Sequence, residues 1–63
     1  MKLGRKIRDI RVSKNMTQKK LAESAGISNT YLSDIERMRT SPSIKTLKNI
    51  ANSLGKNIKE FLD

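Results

Sequence analysis

Sixty-three residues leave room for one domain, and a chain this short buries a smaller share of its surface than larger domains do, so its core must be economical. Fourteen Lys and Arg against six Asp and Glu give a formal charge of +8, which favours a polyanionic partner such as nucleic acid, although basic charge also suits an anionic membrane and a run of charges is most often a solvated face. The absence of cysteine and histidine excludes disulfide staples and the common zinc-finger ligand sets, leaving carboxylates as the only metal ligands, so neither metal nor cofactor is expected.

The chain opens MKLGRKIRDIR, with charges where a signal peptide needs an apolar run. No stretch approaches the roughly 20 apolar residues of a membrane span, so an intracellular protein without a membrane partner is expected. Apolar residues recur throughout at helical rather than strand spacing. Leu3, Ile7 and Ile10 share one face, with Arg11 and Lys14 beside it, which predicts a first helix from Leu3 to Lys14 ended by Asn15.

Thr17 reads as the N-cap of a second helix running to Ala25, with Met16 and Leu21 at hydrophobic-staple spacing. Gly26 follows where a left-handed residue commonly ends a helix. Ser28 caps a third helix extending to Arg37, and Ile27 with Leu32 repeats the staple. Met38 to Pro42 is loop. Ser43 caps a fourth helix whose apolar face is Ile44, Leu47, Ile50, Ala51 and Leu54, closed by Gly55. Asn57 and Glu60 have capping-box spacing ahead of a short fifth helix expected to carry Ile58, Phe61 and Leu62 into the core. The prediction is an all-α, compact five-helix domain filling residues 1–63, with Met1, Met16 and Met38 sharing no stripe.

A helix of about eight residues, a tight glycine turn and a second short helix is the arrangement that lays one helix across a DNA backbone and presents the next to the groove. Gln18 to Arg37 has that form. Leu21, Ala25, Ile27, Leu32 and Ile35 can share an inner surface, and Ala22 permits close approach. At about 100° per residue, Thr30, Asp34 and Arg37 lie opposite Leu32 and Ile35, flanked by Asn29 and Ser33. Such a face supplies the donors and acceptors that base edges require: Asn29 toward adenine, Thr30 toward an edge or a thymine methyl, and Asp34 either toward a cytosine amino group, or as a charge that rejects wrong sequences, or simply in solvent, since phosphates repel a carboxylate. Tyr31 lies at the margin, better suited to core packing with a wet hydroxyl.

Lys19 and Lys20 occupy the first turn of the second helix, where the helix dipole favours acidic residues. A phosphate at that N-terminus would be attracted by free N–H groups and both lysines, with Gln18 donating a further bond and Arg37 and Arg39 gripping the backbone at the other end. Arg11 and Glu36 each project beside an apolar stripe on their own helices and are expected to form a partly buried structural pair.

The segments TQKKLAESAGISNTYLSDIER and SPSIKTLKNIANSLG resemble the phage-repressor and Cro type of helix-turn-helix domain, the lambda-repressor-like or xenobiotic-response-element family, over essentially the whole chain. The resemblance implies a transcriptional regulator, here a repressor, binding inverted-repeat operators in double-stranded DNA as a homodimer. It also implies a cytoplasmic, nucleoid-associated place in a prokaryotic or phage-type system. Carried over by motif, it puts base contacts on Asn29, Thr30, Ser33, Asp34 and Tyr31, and backbone contacts on Thr17, Gln18, Arg37, Arg39 and Ser43. It supports the Arg11 to Glu36 pairing.

Two departures stand out. Met38 occupies a position where many members have glycine, leaving that loop's conformation open, and Lys19 and Lys20 replace residues that are often acidic. The chain is expected to be a minimal regulator or an excised domain, with the dimer surface on the last helix and the loop before the fourth, near Lys56 and Asn57. The alternative is a protein-interaction module, an antitoxin or adaptor that binds DNA for autoregulation. An enzyme is not expected, since there is no histidine, cysteine or glycine-rich phosphate loop.

Overall fold

Ile7, Leu21, Leu32, Ile35, Leu47, Ile50, Leu54 and Phe61 are fully buried in one core that takes a contribution from every helical element. The computed structural model describes residues 3–62; Met1, Lys2 and Asp63 lie outside the described residues, and so does the Met1 part of the expectation that Met1, Met16 and Met38 share no stripe. The elements are α1 (Leu3–Ser13), α2 (Gln18–Ala25), α3 (Asn29–Glu36), α4 (Ile44–Ser53) and one closing 3₁₀ turn (Ile58–Phe61). α2 packs on both α3 and α4, α1 lies against α3, and the 3₁₀ turn closes the gap between α1 and α4.

The expected caps are formed. Thr17 Oγ1 accepts from Lys20 N–H at 3.0 Å, Ser28 Oγ from Tyr31 N–H at 3.0 Å, and Ser43 Oγ from Thr46 N–H at 3.1 Å. Each such bond satisfies an otherwise unpaired donor and contributes about 1 kcal/mol.

All four α-helices also stop by one device, a left-handed residue with two backbone bonds folded back onto the last turn. It is Asn15 (φ 58°) after α1, Gly26 (φ 73°) after α2, Met38 (φ 61°) after α3 and Gly55 (φ 68°) after α4. After α3, Met38 N–H donates to the Ile35 carbonyl at 3.1 Å and Arg39 N–H to the Asp34 carbonyl at 2.8 Å. Met38 therefore adopts the conformation that glycine would reach without a side-chain penalty.

Five expectations require correction. α1 ends at Ser13 and α3 at Glu36, with Arg37 as the cap of α3. The predicted fifth α-helix is a single 3₁₀ turn, in which residues three apart eclipse. Ile58 and Phe61 can therefore face the core together, while Leu62 points away and is 49% exposed. Ile44, expected on the apolar face of α4, is 62% exposed: as the first helical residue its side chain leans toward the helix N-terminus, past the packed neighbours.

Candidate nucleic-acid interface

α2 and α3 are joined by only three residues, and Gly26 reverses the chain there. Ile27 N–H donates to the Ala22 carbonyl at 3.0 Å, while its side chain packs on the shared core. Leu21, Ala22 and Ala25 from α2 are buried with Leu32 and Ile35 from α3, and the small Ala22 lets the backbones approach. The two short helices are thereby held as one unit with their polar sides outward.

Glu36 ties that unit to α1. Its Oε2 accepts from Arg11 Nε at 2.7 Å and its Oε1 from Arg11 Nη2 at 3.0 Å, a bidentate pair. The side chains are only 2% and 11% exposed, so the charges are held away from water. Arg11 Nη1 also donates to the Met16 carbonyl at 2.8 Å. Gln18 Nε2 then donates to Glu36 Oε1 at 3.1 Å, fixing the first residue of α2 on the last residue of α3. No buried side-chain nitrogen or oxygen among the described residues lacks a partner.

Outside this frame, Asn29 and Thr30 at the start of α3 are exposed, and Ser33 and Asp34 one turn later are partly exposed. Tyr31 is half-buried and packed against the core. Thr17, Lys19 and Lys20 are exposed at the N-terminal end of α2, which has no acidic residue in its first turn. Arg37 and Arg39 are exposed just beyond α3, and Ser43 is exposed while capping α4. The protein thus presents hydrogen-bonding side chains on one helix, with cations and free N–H groups at the ends of the pair.

The family model described as Helix-turn-helix matches residues 7–61, nearly the whole chain. This chain belongs to that family. The immunity repressor protein of Bacillus phage phi105 is 47% identical over 55 residues, covering 87% of this chain and 38% of the repressor. The control protein C.BamHI of Bacillus amyloliquefaciens is 44% identical over 61 residues, covering 95% of this chain and 75% of that protein. The crystal structure of SinR, the master regulator for biofilm formation, in complex with DNA is similar at a TM-score of 0.91 and 35% identity, over 97% of this chain and 98% of that one. The chain spans well under two thirds of the phage repressor's length.

Within this helix-turn-helix domain, three contacts escape a reading of the sequence. One of the two Gln18 amide hydrogens, expected at a phosphate, is committed to Glu36. Arg39 Nη1 lies 3.8 Å from Asp34 Oδ1, so the two are neighbours as well as separate candidates. Gly4 is buried where α1 crosses the end of α3, and a Cβ there would run into the Ile35 carbonyl oxygen. Gly4 sits one turn before the core residue Ile7 inside a helix, and that placement was the available signal.

Proposed function

We propose that this chain is a sequence-specific regulator of transcription that binds double-stranded DNA through α3 and represses by occupying an inverted-repeat operator as a dimer. The observation that carries the reading is the exposed polar face of α3, held rigidly on α2 beside the basic N-terminus of that helix. Asn29, Thr30, Ser33 and Asp34 meet base edges, with Tyr31 at the margin. Thr17, Gln18, Lys19, Lys20, Arg37, Arg39 and Ser43 hold phosphates, contacts that set the orientation of the domain on the duplex.

The dimer reading rests on an exposed apolar pair. A dimer would place two recognition helices about 34 Å apart, matching half-sites one helical turn apart. Exposed Ile44 and Leu62 lie beside the two segments expected to form the contact, the loop before α4 and the end of the chain. The relatives are bacterial and phage proteins, and the proposed setting is the cytoplasm and nucleoid of such a system. Among the described residues, no helix is long and apolar enough to cross a membrane and no carboxylate cluster could hold a metal ion.

Titration against genomic fragments followed by footprinting tests the proposal. The expected result is two protected half-sites related by a dyad, about one helical turn apart, each contacted by one copy. Binding of all fragments alike, with no protected site, would contradict it.

A further inference from the structure

A carboxylate on a groove-facing helix is a problem, because the phosphates on either side repel it. Asp34 is such a group on the reading of α3 given above, on which this inference rests. Arg39 stands beside it with Nη1 3.8 Å from Oδ1, yet the side chains are 65% and 39% exposed. A pair that open contributes little to folding stability.

The main chain nevertheless brings these two residues together. Arg39 N–H donates to the Asp34 carbonyl at 2.8 Å, and the left-handed Met38 turns the chain back to make that bond possible. The guanidinium is also a planar fork of five donors, so with one nitrogen near Asp34, close enough for charge attraction though not for a hydrogen bond, the others are free for an anionic neighbour.

We infer that Arg39 determines sequence preference through Asp34: it neutralises the carboxylate in the groove and aims it at the exocyclic amine of one base, cytosine or adenine. An ionised carboxylate only accepts hydrogen bonds, and those amines are the donors that bases present in the major groove. Arg39 bridges the same carboxylate to a phosphate, so a residue expected only to grip the backbone contributes to reading.

Selection from a pool of randomised duplexes, followed by sequencing, tests this with the full chain and its Asp34→Asn, Arg39→Gln, Arg39→Lys, Asn29→Ala and doubly substituted Asp34→Asn/Arg39→Gln variants. All the substituted side chains are exposed or partly exposed, and thermal melting confirms that each variant folds. The unaltered chain should prefer an amino-bearing base at one half-site position by about tenfold. Asp34→Asn and Arg39→Gln should both flatten that position, the double variant should do no more than either, and Arg39→Lys should restore much of the preference. Affinity for random duplex should rise in Asp34→Asn, where a repelling charge is gone, and fall in Arg39→Gln. Arg39→Gln lowering affinity evenly while every preference survives would overturn the inference, as would independent, additive effects of the two residues. If Asn29→Ala shifts its own position in those cases, the reading of α3 stands and only the coupling fails. If Asn29→Ala and Asp34→Asn both leave the selected sequence unchanged, the reading of α3 fails with it.

Discussion

Gly4 and Met38 lie 34 positions apart in the chain and make one contact. Gly4 N–H donates to Met38 Sδ at 3.1 Å, which joins the first turn of α1 to the residue that ends α3. A left-handed conformation disfavours a residue with a Cβ by about 1–2 kcal/mol, and the sulfur contact partly offsets that at Met38. On helix propensity alone, Gly4→Ala should stabilise α1 by about 0.8–1.0 kcal/mol. The structure reverses the sign, because the added methyl meets the carbonyl oxygens of Ile35 and Glu36, which belong to a packed helix end and cannot swing aside. Overpacking of this kind costs about 1–3 kcal/mol, so the denaturant midpoint of Gly4→Ala should fall. A midpoint equal to or above that of the unaltered chain would show that α1 is not seated as described.

At the scale of the elements, the Glu36 carboxylate is the joint between α1, α2 and α3. Glu36→Gln removes the charge opposite a nearly buried guanidinium, and breaking such a pair costs on the order of 3 kcal/mol. The expected outcome is a large loss of thermal stability together with weaker binding of all duplexes, since a single neutral amide oxygen replaces the carboxylate that holds both Arg11 and Gln18. Unchanged melting and unchanged affinity would remove the joint from the account.

The pairing was legible because Arg11 and Glu36 each flank an apolar stripe, and the caps Thr17, Ser28 and Ser43 were legible because their chemistry is local. The exposed Ile44 and the 3₁₀ turn were not. Helical periodicity says which residues share a face, not whether a neighbour reaches that end of the helix, and the expected packing of Leu62 assumed an α-helical turn. The left-handed Met38 was hidden for a related reason, since only glycine or asparagine announces that conformation in sequence.

Across the whole molecule the net charge of +8 is not confined to the α2 and α3 side. Arg5, Lys6 and Arg8 on α1 and Lys45 and Lys48 on α4 are also exposed. Such a distribution attracts DNA from any approach and leaves orientation to the few cations at the ends of the helix pair. Charge therefore favoured a polyanionic partner without identifying it, since a basic surface also suits an anionic membrane, and it was the helix-turn-helix pattern that pointed to DNA, with the choice of sequence proposed for the short outward face of α3.

Measuring the affinity of Asn29→Ala and Lys19→Ala for operator and random duplexes across a salt series separates those two tasks. Asn29→Ala should lose about 1–3 kcal/mol on the operator and little on random DNA, with its salt slope unchanged. Lys19→Ala should weaken both duplexes alike and reduce the slope by about one unit. Equal losses on operator and random DNA for Asn29→Ala would contradict the assignment of sequence reading to α3.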